Sequence, residues 1–361
     1  MIMDYLREIF DKKRIWLLIS AGISLFLFFV VVFTGVKLSN SQQAQHAATR
    51  WANDKDFAQV SAYFSEISNA NIDTVKEIRY KIEEKLNTDS ISAANSNARR
   101  WIDAYCAQGE ISIISERDTV KVKAFGVGGD FFVFNPLNLI CGAYFNGDDM
   151  NKDYVIIDDE TAWILYGSSN VVGKQVIIND TPHIITAVYK RDDSHLDKLA
   201  GNNETTVFVS YETLCDACGV DGINVYEALM PNELTGYALK ALKDGITISE
   251  NRYDALENTH RFNWKQLVKM SKGYGFRSMN AKSVIFPYWE NMARGMENIL
   301  FAMTWFAMVL ISYTLGILIY VFGRMWKRRR IHKEDVKDFV ERKIEKYRAN
   351  RKKKEEEGDY I

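Results

Sequence analysis

Two long apolar runs constrain this chain more than anything else in it. Ile15 to Val36 is 22 residues without a charged side chain, and Asn298 to Phe322 is 25 more. As helices rising 1.5 Å per residue, each spans about 33 Å or more, the thickness of a bilayer's hydrocarbon core. Hydrophobic residues make up 47% of the chain, yet its mean hydropathy is −0.21, so the apolar residues are concentrated and the remainder is polar. A soluble helix of this length would present one charged face to water, and neither run has one. With no ionisable residue inside them, the runs offer no proton or ion path.

The first run is too long for a secretory signal's apolar core, and no A-x-A site follows it, so it reads as an uncleaved anchor. Arg7, Lys12, Lys13 and Arg14 precede it, and Arg324, Lys327, Arg328, Arg329 and Arg330 follow the second run. Basic flanks face the cytoplasm, which sets both termini inside and the intervening residues outside. Residues 324–361 hold fifteen basic and nine acidic groups, and residues 1–14 hold four and three. From the whole-chain charge of −1, the middle is therefore about −8. An acidic outer segment gives no reason to expect a nucleic-acid partner, and the basic tail suits anionic lipid of the inner leaflet. Within that tail Val336, Phe339, Val340, Ile344 and Tyr347 recur at helical spacing, the pattern of an amphipathic helix. Residues 351–361 are expected to be disordered.

Between the spans, Ser39 to Phe64 is rich in Gln, Ala, Ser and Asn without Pro or Gly, and is expected to continue the membrane helix outward as a stalk. Ile72, Val75, Ile78, Ile82 and Leu86 predict a helix over 72–86. Residues 87–98 read as a loop or its continuation. Strands are predicted at Glu110–Ser115, Thr119–Phe125, Thr205–Ser210 and Ile223–Met230, with an exposed loop over Arg191–Asn203 and a helix at Glu233–Leu242. Phe286–Glu297 forms a second stalk.

The most structured stretch runs from Gly126 to Tyr189. Tyr154–Ile157 suits a buried strand, Asp158 or Asp159 caps a short helix to Tyr166, and Gly167 ends it in the left-handed conformation. Gln175–Ile178 and His183–Tyr189 form a hairpin around the Asn179-Asp180 turn. Gly126-x-Gly128-Gly129 lacks the Lys-Ser/Thr of a phosphate loop and the third Gly of a dinucleotide fingerprint, so it reads as a tight turn. Together with Phe131-Phe132, Leu139-x-x-Gly142-x-Tyr144-Phe145, Val155-Ile156-Ile157, Ala162-Trp163, Tyr166-Gly167 and Val172-Gly173-Lys174, this ordered set resembles the periplasmic core domain of MacB-like ABC-transporter permeases. Further motifs resemble a two-span subgroup of such proteins: Val225-Tyr226-Glu227-Ala228-x-x-Pro231-Asn232, Asn258-x-x-Arg261-Phe262, Gly275-x-Arg277-Ser278-Met279-Asn280, and Pro287-Tyr288-Trp289-Glu290-Asn291-x-Ala293-Arg294. The resemblance implies an α+β extracytoplasmic domain inserted between two transmembrane helices. Its layout is a cytoplasmic N-terminus (1–14), a first span (15–36), the outer domain with helical stalks (37–297), a second span (298–322) and a basic tail (323–361). Full permeases of this kind carry three helices after the outer domain. The single run found here leaves the helix that would couple to an ATPase without a counterpart.

No catalytic, cofactor-binding or metal-binding residue stands out. The four cysteines (Cys106, Cys141, Cys215, Cys218) lie on the outward side, where disulfides are permitted, and Cys215-x-x-Cys218 lacks the second ligand pair of a zinc site. Unpaired thiols and structural disulfides both remain open readings. The five histidines form no H-x-x-H, and His183 reads as a satisfied sheet residue. Asp148-Asp149 and Asp158-Asp159-Glu160 do not match a calcium loop and read as turn and cap residues. Ser20/Ser24 and Ser312/Gly316 permit close contact between the spans. The resemblance implies a non-enzymatic membrane subunit that relays motion from a separate ABC ATPase, with further permease subunits as partners. A ligand-binding membrane receptor or envelope scaffold with no ATPase partner is the alternative.

Overall fold

The computed structural model describes residues 12–52, 57–93, 98–219, 221–273 and 283–358. The Gly275–Asn280 motif, residues 1–11 and residues 359–361 lie outside this set. The chain divides into two compact units: residues 1–35 with 303–361, and residues 36–302.

In the first unit, helix α1 (Lys12–Ser41) and the later part of helix α10 (Tyr288–Gly358) pair through small and polar residues. Ser24 Oγ donates to the Leu310 carbonyl at 3.0 Å, and Ser20 Oγ lies 3.1 Å from the Tyr313 hydroxyl. Ala21, Ser24, Ala307, Thr314 and Ile317 are buried there, whereas Phe26, Phe29, Phe33, Ile319 and Phe322 point outward. Both helices are long and apolar enough to cross a membrane. The expected contact at Ser20 and Ser24 is present. On the partner helix Leu310 and Tyr313 meet it, and a Cβ at Gly316 would touch nothing. Helix α10 runs to Gly358, so residues 351–358 are helical where disorder was expected.

The second unit is built on a ten-stranded mixed sheet among the described residues, in the order β10-β1-β9-β2-β3-β8-β5-β7-β4, with β6 bridging β2 and β7. The strands are β1 (Phe57–Phe64), β2 (Ile102–Ile114), β3 (Thr119–Gly129), β4 (Asn138–Gly142), β5 (Tyr154–Asp158), β6 (Gln175–Ile178), β7 (Thr181–Lys190), β8 (Thr206–Ser210), β9 (Val225–Pro231) and β10 (Tyr253–Glu257). Pairing is antiparallel except for β3 with β8 and β5 with β7.

Ser39–Phe64 corrects one expectation. The membrane helix stops at Ser41, a 3-10 turn and helix α2 (Ala47–Ala52) follow, and β1 then enters the sheet between β9 and β10. The polar composition misled because β1 is buried on both faces. Ala58, Val60, Ala62 and Phe64 join an apolar core, while Gln59, Ser61 and Tyr63 face a buried polar cluster. Only the second stalk is helical through its length from Tyr288 onward.

One face of the sheet is covered by helix α3 (Ile72–Thr88), whose Val75, Ile78, Ile82 and Leu86 are buried, as the spacing predicts. Asn71 caps it, accepting from the Asp73 and Thr74 amides while the Thr74 hydroxyl accepts from the Asn71 amide. The opposite face holds an aromatic cluster in which helix α4 (Phe131–Phe134), Phe125, Phe208 and Trp289 meet. Helix α5 (Asp159–Tyr166) begins at Asp158, whose carboxylate accepts from the Thr161 amide at 2.9 Å, and ends at Gly167 with φ +70°. Helices α6 (His195–Leu199), α7 (Tyr211–Cys218), α8 (Tyr237–Gly245) and α9 (Trp264–Met270) complete the unit. Helix α6 interrupts the predicted Arg191–Asn203 loop, and α8 starts four residues later than expected.

The glycine cluster is also corrected. Gly126 and Gly128 are strand residues of β3 and only Gly129 has a positive φ, +66°. A Cβ on Gly128 would fall 2.1 Å from Cζ of Tyr105, and one on Gly126 would fall 2.6 Å from Cβ of Leu214. These glycines make room for a tyrosine and for α7 to lie against the sheet.

Candidate functional site

The densest polar construction in the outer unit lies beneath the start of α10. Arg261 sits in the turn after β10, where its amide donates to the Asn258 carbonyl, and its side chain is 4% exposed. Five hydrogen bonds saturate the guanidinium. Nη1 and Nη2 reach the two Glu290 oxygens at 2.7 and 2.9 Å, a bidentate pair. Nε and Nη2 reach Glu297 at 2.8 and 3.3 Å, and Nη1 also reaches the Gln45 side chain at 3.2 Å. Glu290 and Glu297 are seven residues apart on α10, two turns along one face, so one arginine spans both. Arg294, one turn from Glu290, donates to it at 2.6 Å and to Asp254 of β10 at 2.9 Å. The Tyr63 hydroxyl of β1 donates to Glu290 at 3.1 Å. The segment between α1 and β1 is joined as well: the Ala47 amide donates to the Gln59 side chain at 3.1 Å, and that side chain donates to the Ala44 carbonyl at 2.7 Å.

Glu227 of β9 forms the inner end of this network and is 2% exposed. Its carboxyl accepts from Ser61 Oγ at 2.9 Å, from Asn135 Nδ2 at 2.6 Å and from Gln59 Nε2 at 3.5 Å. Asn258 in turn donates to Ser61 Oγ at 2.7 Å. Burial pushes the Glu227 carboxyl up to about 7, with the charge of Glu290 adding to the rise and the three donors only partly offsetting it. Burial opposes the charge on Arg261 too, but Glu290 and Glu297 outweigh it and hold the guanidinium well above its ordinary range. The whole arrangement ties α10 to β1, β9, β10 and the turn after β10 through side-chain hydrogen bonds. Its inner members, Glu227, Arg261, Glu290 and Glu297, are buried, while Arg294 and Asp254 at its edge are partly exposed.

Three motifs that are far apart in sequence meet here. Glu227, the Asn258/Arg261 pair, and Glu290 with Arg294 belong to separate segments of the resemblance and form one network in the structure. Gln45, Gln59, Ser61, Tyr63, Asn135, Asp254 and Glu297 were not singled out from the sequence. The polar alternation Gln59, Ser61, Tyr63 between apolar neighbours is the signal that could have revealed β1. The remaining groups stand apart from it. Asp148 accepts from the Gly129 amide, and Asp149 from the Asn146 amide, as turn residues. Asp158 caps α5 and pairs with Arg191 at 2.7 Å. His183 is buried and bonded to the Thr181 carbonyl and the Thr213 hydroxyl. All four cysteines are free thiols, with Cys106 buried in β2 and Cys215 and Cys218 on α7. Among the described residues, no three His, Cys, Asp or Glu side chains gather as metal ligands.

A family model described as the MacB-like periplasmic core domain matches residues 16–250. The macrolide export ATP-binding/permease protein MacB of Pasteurella multocida (strain Pm70) is 26% identical over 144 residues, 38% of this chain and 21% of that protein. The chain thus spans about a fifth of the length of the curated relative it matches. Among solved structures, the extracellular domain of the noncanonic ABC-type transporter YknZ from Gram-positive bacteria aligns with a TM-score of 0.37 and 13% identity, covering 55% of this chain and 99% of that one. The periplasmic region of MacB from Actinobacillus actinomycetemcomitans aligns with a TM-score of 0.40 and 15% identity, covering 59% and 92%. With the family match extending over more than half its residues, the chain belongs to the MacB-like periplasmic core domain family, as a membrane protein of the ABC-transporter permease type.

Proposed function

We propose that this chain is a non-enzymatic, permease-like subunit that relays motion from a separate ABC ATPase to its outer domain. The observation that carries this reading is the Arg261 clasp. A single buried guanidinium joins Gln45, in the turn after α1, to Glu290 and Glu297 of the second stalk, and Tyr63 and Arg294 tie the same helix to the sheet. An axial or tilting displacement of the second stalk would therefore load β1 and β10 directly, through short charge-assisted bonds rather than through a flexible linker. Helix α10 carries the clasp carboxylates, the second apolar run and the basic tail in one uninterrupted element. In this reading both termini are cytoplasmic, as the basic flanks indicate, and the tail rests on anionic inner-leaflet lipid or on the ATPase.

Mild-detergent extraction from native membranes followed by mass spectrometry of the intact complex tests the proposal. Recovery of an ABC ATPase subunit, alone or with further permease subunits, is expected. A chain that purifies with neither would instead favour a stand-alone receptor or scaffold.

A further inference from the structure

Helix α9 lies three residues beyond the clasp, and its surface does not match the rest of the domain. Asn263 caps it by accepting from the Lys265 amide, and Leu267 is buried to hold it against the domain. Trp264 is 60% exposed, and Lys265, Lys269 and Lys272 are exposed beside it. The Lys265 ammonium sits 5.8 Å from the Trp264 ring centre. The outer segment as a whole is acidic, yet the sequence holds no Asp or Glu from Asn258 to Trp289. An exposed indole flanked by lysines on a short helix is the composition of an interfacial membrane contact, with the ring at headgroup level and the ammonium groups on phosphates.

Position supports the same partner. Arg261, three residues before Trp264, is bonded to Glu297, and Glu297 directly precedes the uncharged run that begins at Asn298. The Arg261–Glu297 bond thus ties the start of α9 to the residue from which the second uncharged run departs in the sequence. We infer that α9 with the turn after it is a second, peripheral membrane contact on the outer side, in which Trp264 enters the headgroup layer while Lys265, Lys269 and Lys272 bind anionic lipid. The contact is separate from the basic cytoplasmic tail and does not depend on an ATPase partner.

Hydrogen–deuterium exchange of the full chain tests this in nanodiscs of pure phosphatidylcholine and in nanodiscs containing about one-third phosphatidylglycerol. Backbone amides of residues 264–272 should exchange at least about threefold more slowly in the anionic membrane. The triple variant Lys265→Glu/Lys269→Glu/Lys272→Glu should lose that difference, with β1 and β9 remaining as protected as in the parent protein. Equal exchange of 264–272 in the two membranes overturns the inference. So does a triple variant that keeps the lipid-dependent slowing.

Discussion

Replacing Arg261 with methionine removes the clasp while keeping an unbranched, apolar side chain in its place. The guanidinium makes five hydrogen bonds to three partners, and its two carboxylate partners are 0% and 5% exposed. Removing one member of a buried ion pair costs about 3–5 kcal/mol, because the remaining charge stays buried without compensation. Glu290 keeps its bond from Arg294, which places the loss toward the lower end, about 3 kcal/mol. For a unit of this size that corresponds to a fall of about 6–12 °C in the melting temperature. The assay is near-ultraviolet circular dichroism on heating, since Trp289 belongs to the aromatic cluster beside Glu290 and reports its packing. Arg261→Lys, which keeps the charge but loses the planar fork, should fall between the parent and the methionine variant. A triple variant, Arg261→Met/Glu290→Gln/Glu297→Gln, should recover much of the loss by discharging the stranded carboxylates. A methionine variant melting within about 2 °C of the parent would refute the reasoning, because a decoupled surface pair has that small an effect.

Other outcomes follow from single groups. Glu227 has a folded-state pKa of about 7 against an ordinary 4.5, so its contribution to stability is fully present below about pH 4.5 and is lost as pH rises through about 7. That loss amounts to about 3 kcal/mol, and Glu227→Gln should flatten the fall in urea midpoint between pH 5 and pH 8. Gly128→Ala would drive its methyl into the Tyr105 ring and should cost about 1–3 kcal/mol by overpacking, read from the same melts. Cys106 is fully buried, with burial pushing its thiol well above the usual range. Maleimide should therefore modify Cys215 and Cys218 in the native protein and Cys106 only after unfolding.

Much of the fold was legible in the sequence where one local rule acted alone. The uncharged runs, the 3-4 spacing of Val75, Ile78, Ile82 and Leu86, and the Asp158 cap with Gly167 at the other end each signal an element by a single mechanism. Reading failed where two buried faces differ in chemistry. Strand β1 sets Ala58, Val60 and Ala62 against Gln59, Ser61 and Tyr63, so its polar residues imitate a solvent-exposed stalk although they are buried. The site was hidden for a related reason. Glu227, Arg261 and Glu290 are each ordinary surface residue types, and only long-range pairing brings them within hydrogen-bond distance of one network. The Gly128 site shows the same limit in reverse, because its missing Cβ is explained by Tyr105 on the neighbouring strand and not by a turn.

The spacing of Glu290, Arg294 and Glu297 along α10 also restricts how that helix could slide. A shift of one turn, about 5.4 Å, would carry Arg294 toward the place where Arg261 now meets Glu290. Two guanidinium groups would then face each other beside a largely buried site, a like-charge encounter of weak screening. Sliding in that direction therefore meets a repulsive barrier one turn away. A displacement would be borne by the sheet moving with the helix as one body, or by release of the clasp in a single step, with no graded series of intermediate positions.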